Sequence, residues 1–231
     1  MGDAAAVVQF GSEISPLLQQ KVQAFAHVIE EEPFTGCLEY TPAFTGVTVF
    51  YDPFLVYQAY GGEHTSSFDI VTKLLKDRLK RIESQESLIV RKITIPVCYG
   101  GVYGPDLAFV AQHNNLSERE VIHLHSSGTY PVYMIGFAPG FPYLGGLPDQ
   151  LNAPRRSSPR ASIPAGSVGI AGRQTGVYPL STPGGWQLIG RTPIKLFQPE
   201  RKEPSVLSAG DIVVFKPIAD NEFDEYQEIG I

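Results

Sequence analysis

A chain of 231 residues suits one large domain or two small ones, and its 43% hydrophobic and 18% charged residues are ordinary for a globular protein. No apolar run approaches the roughly 18 residues of a membrane span, MGDAAAVVQFGSE lacks the basic start and apolar core of a signal peptide, and Ala6 breaks the myristoylation pattern. The formal charge of −6 argues against nucleic acid as a partner, and Cys37 and Cys98, without metal or redox spacing, point to a reduced, cytoplasmic setting.

Ala4 to Phe10 is a short apolar run of the length of a buried strand. Ser15-Pro16 then offers an N-cap and a proline at the first helical position, and Leu18, Val22, Phe25 and Ile29 follow at helical spacing. Val47, Val49 and Tyr51 alternate as in a strand. Val71, Leu74, Leu75, Leu79 and Ile82 trace a second helical stripe, with Lys76, Arg78, Lys80 and Arg81 on the wet side. Ile89, Ile93, Ile95 and Val97 alternate with Lys92 and Thr94, predicting one more strand. The order over residues 1–95 predicts a small α+β sandwich with both helices on one face of a sheet.

From Pro96 the pattern changes. Helices are predicted over Pro105–His113 and Ser117–Ser126, the second opening on the capping box Ser117-Glu-Arg-Glu120 and closing at Gly128. Short strand signals follow at Val132–Ile135, Trp186–Ile189, Pro193–Phe197 and Asp211–Lys216, separated by turns rich in glycine and proline. That grammar predicts a β-barrel or sandwich over residues 96–231. The acidic clusters Glu30-Glu31-Glu32 and Asp220–Glu228 read as solvated ends.

One stretch, Gly136-FAPGFPYLG-Gly146, holds three aromatics among four glycines and two prolines, a composition that suits neither a helix nor a central strand. Between Gly136 and Lys195 stand Arg155, Arg156, Arg160, Arg173, Arg191 and Lys195, with Asp149 as the single acid. Arginine forks suit carboxylate or phosphate, and Ala165-GSV-Gly169 and Thr182-PG-Gly185 are able to turn backbone amides toward an anion. An anion-binding cleft and plain pairing of these arginines with acids of the N-terminal half both remain open at this level. No P-loop or nucleophile-elbow pattern is present, and no catalytic triad or metal site is read. His123 and His125, two apart on a helix, point to different faces, one exposed and one packed or hydrogen-bonded.

The segments Tyr133–Pro148, Ala153–Arg160 and Ile163–Pro193 resemble the KipI/PxpB family, also called allophanate hydrolase subunit 1-like. Ile95–Leu107 and Ile122–Tyr130 fit its preceding segments, so the resemblance covers essentially the whole chain. Residues 2–11 resemble the usual opening of the family without its short lead, which implies a trimmed or mis-started N-terminus. Val102 departs from an acidic residue common in the family.

The resemblance implies an α+β protein whose small N-terminal domain precedes a cyclophilin-like β-barrel. It implies the B-type subunit of an ATP-dependent 5-oxoprolinase, working with a C-type (KipA/PxpC-like) and an A-type (LamB/YcsF-like) subunit and inactive alone. ATP with Mg²⁺ is the implied cofactor, held mainly by a partner subunit. The alternative is an inhibitor of a sporulation sensor histidine kinase, with a urea carboxylase or allophanate hydrolase component as a weaker third reading. Arg156, Arg160 and Arg191 are the candidate ligands for substrate or phosphate, with Gln174 and Thr182 as neutral donors. Phe137, Phe141 and Tyr143 are the expected apolar wall of the same cleft, its glycines admitting close backbone approach.

Overall fold

The computed structural model describes residues 4–13, 15–82 and 91–229, and the chain packs as two compact units, Met1–Ile89 and Val90–Ile231. In the first unit, β1 (Ala5–Gln9), β3 (Gly46–Tyr51) and β2 (Cys37–Pro42) form an antiparallel sheet in the order β1-β3-β2. Helix α1 (Pro16–Glu31) begins where Ser15 caps it, the side chain accepting from the Leu18 amide at 3.2 Å. Its Val22, Phe25 and Ile29 pack with Val47, Val49 and Tyr51 of β3 and with Val71 and Leu75 of α3 (Ser67–Ile82). All eight of these side chains are buried, each fully buried apolar residue contributing about 1.5–3 kcal/mol. Period 3.6 in the helices and period 2 in β3 thus fill one core.

Helix α2 (Pro53–Tyr60) is not foreshadowed by any periodicity. Its apolar residues lie all round, so no stripe announces it. Its cap is nevertheless written plainly, since Asp52 precedes Pro53 and its carboxylate accepts from the amides of Phe54 and Leu55 at 2.8 and 3.1 Å.

The second unit is a closed seven-stranded barrel. Its strands are β4 (Lys92–Tyr99), β5 (Tyr130–Ile135), β6 (Pro142–Leu144), β8 (Ser167–Ala171), β9 (Gln174–Val177), β11 (Gln187–Arg191) and β12 (Ile212–Pro217). They run β11-β4-β12-β5-β6-β9-β8 and back to β11, with β12 parallel to β4 and the other pairs antiparallel. Ile89, expected to open this first barrel strand, lies outside the described residues. Because β4 belongs wholly to the second unit, the chain passes into the barrel ahead of residue 92 rather than at Pro96.

Ile95, Val97, Val132, Leu144, Val168, Ile170, Val177, Ile189 and Phe215 form the barrel core, joined by Leu107 and Val110 of α4 (Leu107–His113) and Val121 of α5 (Glu118–Ser127). The capping box of α5 is present, with Ser117 and Glu120 each satisfying the amide of the other. A two-stranded ribbon of β7 (Arg160–Ile163) and β10 (Thr182–Gly184) stands outside the barrel.

Two expectations fail here. Pro193–Phe197 is not a strand: Pro193 has no amide to offer a ladder, and Phe197 makes only an isolated bridge to Ser205. The acidic tail is not simply a solvated end but helix α6 (Asp220–Ile229). Phe223 is buried with Cys98 and Ile218 and stacks on Tyr103 at 4.5 Å between centroids. The Cys98 thiol donates to Asp220 Oδ1 at 2.9 Å, and burial together with that carboxylate pushes its pKa up to about 12.

Candidate functional site

The residues that draw together are Asp106, Arg156 and Arg160. Asp106 leads into α4 from a tight turn, and its amide donates to the Leu188 carbonyl at 2.8 Å, which fixes it against β11. Arg156 lies in the loop before the ribbon, its amide donating to the Gly185 carbonyl at 2.7 Å. Arg160 opens β7 opposite Gly184. Arg156 Nη1 and Arg160 Nη2 both donate to Asp106 Oδ1, at 3.1 and 2.8 Å, while Oδ2 accepts from the Leu188 amide at 2.7 Å. The arginines therefore pair neither with the N-terminal half nor with bulk solvent. Their partner is an aspartate only 5% exposed.

The pairing leaves donors over. Arg156 Nε, Arg160 Nη1 and Thr182 Oγ1 are buried without a hydrogen-bond partner. An unmet buried donor costs about 1–3 kcal/mol, and native proteins rarely keep several side by side. Arg160 and Thr182 stand on the two strands of one ribbon, and Arg156 is tied to the residue just beyond it.

An aromatic cluster adjoins this group. Phe141, Ile163, Tyr178, Trp186 and Leu188 pack together, and Phe141 is the hub, meeting Tyr143, Tyr178 and Trp186 edge-on at 5.0, 5.3 and 5.6 Å. Ile163 ends the strand that Arg160 begins, and Trp186 follows Gly185. The Tyr178 hydroxyl reaches the seam: its pKa is pushed up to about 12 by burial, against the pull of Arg155 and Arg160. Gly184 is required there, because a Cβ would sit 2.6 Å from Tyr178 Oη and 2.7 Å from Ile163 Cδ1.

The aromatic stretch itself is two fused turns. Ala138 N donates to Gly136 O at 2.8 Å across Phe137, which has φ +69°, making a γ-turn of the strained kind. Phe141 N donates to Ala138 O at 3.0 Å, with Pro139 and Gly140 (φ +76°) at the positions a type II turn asks of them. Gly136 N closes the loop on Phe141 O at 3.0 Å. Phe137 stands out, 66% exposed, whereas Phe141 is 2% exposed and so lies behind the wall rather than on its face; Tyr143 is half-buried.

Other candidates lie elsewhere. Arg191, at the end of β11, gives its Nε to the Ala165 carbonyl at 2.8 Å and sets its guanidinium over the Phe223 ring at 5.9 Å. Gln174 opens β9 at the turn of the β8–β9 hairpin. Among the described residues no hydrogen bond joins either to Arg156 or Arg160. The Gly166–Gly169 amides are not free for an anion: Gly166 N donates to Tyr178 O, Ser167 N to Pro164 O, and Val168 to Gly169 lie in β8. Thr182–Gly184 is strand β10, not an anion nest.

Sequence reasoning passed over Asp106, which stood outside the charge count of residues 136–195. His125 carries a second buried polar group, and His123 is exposed on the opposite face of α5. His125 Nδ1 meets Tyr99 Oη at 2.8 Å and Nε2 meets Thr175 Oγ1 at 2.9 Å.

Among the described residues no three His, Cys, Asp or Glu gather to hold a metal ion. Asp106 has both oxygens engaged and two cations beside it, so Mg²⁺ does not fit the arginine site. No helix of the described residues is long and apolar enough to cross a membrane.

A seven-stranded barrel preceded by a small α+β unit is a fold with known members. The family described as carboxyltransferase domain, subdomain C and D, matches residues 1–207, and the chain belongs to it. A Bacillus subtilis protein named as the B-type subunit of 5-oxoprolinase is 53% identical over 228 residues, spanning 99% of this chain and 95% of its own. The Escherichia coli O157:H7 protein of the same name is 43% identical over 94% of each chain. The crystal structure of TTHA0988 superposes with a TM-score of 0.78 at 34% identity, covering 93% of this chain, which spans 40% of that longer one. The resemblance read from the Tyr133–Pro148, Ala153–Arg160 and Ile163–Pro193 segments holds.

Proposed function

We propose that the chain is the B-type subunit of an ATP-dependent 5-oxoprolinase, converting 5-oxo-L-proline, ATP and water to L-glutamate, ADP and phosphate together with A-type and C-type subunits. The observation that carries this reading is the Arg156–Arg160–Asp106 group with its spare donors beside an aromatic cluster, in a chain 53% identical to a protein of that name. Hydrolysis of 5-oxoproline needs its carboxylate held and the charge developing on its ring carbonyl met by fixed donors, and this group suits the first of these tasks. The engagement of the acid beside the arginines supports nucleotide and Mg²⁺ binding mainly by partner subunits. The protein is inactive alone and acts in the cytoplasm.

The test is reconstitution. The isolated chain gives no ATP-dependent glutamate release, the three-subunit mixture does, and omission of this chain abolishes it. Full turnover by the single chain, or by the mixture without it, overturns the reading.

Phe137 favours a second role, inhibition of a sensor histidine kinase, because an exposed aromatic on a rigid turn is a ready anchor for a protein surface. Phe137→Ala then abolishes inhibition in a kinase autophosphorylation assay. Inhibition unchanged by Phe137→Ala removes this role for the loop.

A further inference from the structure

The charge balance at the arginine pair says what it takes. Arg156 and Arg160 bring two positive charges and Asp106 one negative, leaving +1 at the seam with the aromatic cluster. Asp149, the single acid between residues 136 and 195, is committed to Arg173 at 2.5 Å. Arg155 also acts on the Tyr178 hydroxyl, but it is exposed and its charge is screened by solvent. A monoanion closes this balance, whereas a phosphate dianion or a nucleotide triphosphate leaves excess negative charge next to the Asp106 carboxylate. The donors suit the same ligand: Arg156 Nε and Arg160 Nη1 are charged N–H groups for carboxylate oxygens, and Thr182 Oγ1 is a hydroxyl able to donate or accept. The arginine side chains are 37% and 23% exposed, so both are only partly sheltered from solvent. Behind them Tyr178, Ile163 and Trp186 pack as a buried apolar layer.

We propose that Arg156, Arg160 and Thr182 bind the carboxylate of a small monoanionic cyclic acid, and that Asp106 is a positioning residue whose charge selects a carboxylate over phosphate. This rests on the reading of the chain as a 5-oxoprolinase subunit and deepens it, assigning the acid substrate, not the nucleotide, to this chain. Asp106 both aims the two forks and limits their net charge.

Trp186 is the single tryptophan of the chain and packs in the adjoining cluster, so its fluorescence reports binding directly. The isolated chain is titrated with 5-oxo-L-proline, with inorganic phosphate and with ADP, and calorimetry supplies stoichiometry. The proposal expects 5-oxoproline to bind one to one and at least about tenfold more tightly than phosphate or ADP, the loss typical of an unpaired charged donor. Arg160→Gln and Arg156→Lys weaken it about tenfold, the lysine keeping the charge but not the fork. Thr182→Val weakens it several-fold, and Asp106→Asn narrows the preference over phosphate. Circular dichroism checks the fold of each variant, and Thr182→Val, which removes one hydroxyl, keeps the test open should Asp106→Asn unfold.

In the reconstituted assembly, Arg160→Gln raises KM for 5-oxoproline and leaves KM for ATP unchanged. No binding of 5-oxoproline by the folded chain, equal binding by wild type and Thr182→Val, or a raised KM for ATP alone overturns the assignment. The two readings fail separately. Carboxylate binding by the chain without turnover in the full mixture sinks the enzyme reading and leaves this site standing. Turnover with a KM indifferent to Arg160 does the reverse.

Discussion

Asp106 and Leu188 are tied to each other twice: the Asp106 amide donates to the Leu188 carbonyl at 2.8 Å, and the Leu188 amide donates to Asp106 Oδ2 at 2.7 Å. One residue leads into α4 and the other lies mid-strand in β11, so the pair fixes helix to barrel. The second carboxylate oxygen is thereby aimed at Arg156 and Arg160. Structure and site share this one side chain.

Asp106→Ala accordingly destabilises the protein strongly. It strands a buried amide and two partly buried guanidiniums, and breaking a buried ion pair from one side costs about 3–5 kcal/mol. Asp106→Asn keeps an acceptor for Leu188 and loses only the charge, so its cost is smaller, about 1–2 kcal/mol. Urea unfolding of the three proteins side by side checks the order. Equal midpoints for Asp106→Ala and wild type contradict the brace.

Two phenylalanines four residues apart separate packing from presentation. Phe141→Ala removes the hub of the aromatic cluster and lowers stability by about 3–5 kcal/mol. Phe137→Gly removes an exposed ring from a left-handed backbone position and leaves stability within about 1 kcal/mol of wild type. Thermal unfolding by calorimetry reads both. A large loss in Phe137→Gly would show that the ring is part of the core after all.

Gly184 makes a third test, of the seam between ribbon and cluster. Alanine there meets the Tyr178 hydroxyl and Ile163 at less than contact distance, so Gly184→Ala costs about 1–3 kcal/mol. Tyr178→Phe in the same chain removes the oxygen at 2.6 Å and recovers part of the loss. A double-mutant cycle measures that coupling, and strict additivity of the two changes refutes the contact.

Much of this fold was legible because its cores obey simple periods. Val22, Phe25 and Ile29 at helical spacing, and Val47, Val49 and Tyr51 at period 2, are buried as the pattern demands. Arg156, Arg160 and Thr182 were legible as donors in a region short of acid. Their common partner was not, because Asp106 reaches them through barrel closure across about fifty residues, and charge counted within a segment cannot see a long-range pair. Arg191 matched Arg160 in composition alone, and its position on β11 sends it to Phe223 and α6. Phe141 and Phe137 read alike for a similar reason. Only the two turns at Phe137 and Gly140 decide that one ring faces in and the other out.

The last prediction concerns acid. Thr175 Oγ1 donates to the Gly169 carbonyl at 3.0 Å, so it must accept from His125 Nε2–H, which leaves Nδ1 to accept from the Tyr99 hydroxyl. This chain runs in one direction through a neutral imidazole that is wholly buried and stacked on Phe215 at 4.5 Å. A proton on Nδ1 would face a hydroxyl already donating, and the cation would sit in an apolar core. Burial pushes the His125 pKa down from 6.5 to about 3. Between those values the unfolded chain binds a proton that the folded one refuses. This contribution to stability is fully present above about pH 6.5 and is lost as pH falls toward 3. By linkage the loss between pH 7 and pH 5 is about 2 kcal/mol, a window lying above the range in which most carboxylates titrate. Urea midpoints measured across that window fall for the wild type. His125→Gln retains hydrogen-bonding capacity without titrating and flattens the slope, although it starts from lower stability. An unchanged slope in His125→Gln assigns the acid sensitivity to other groups.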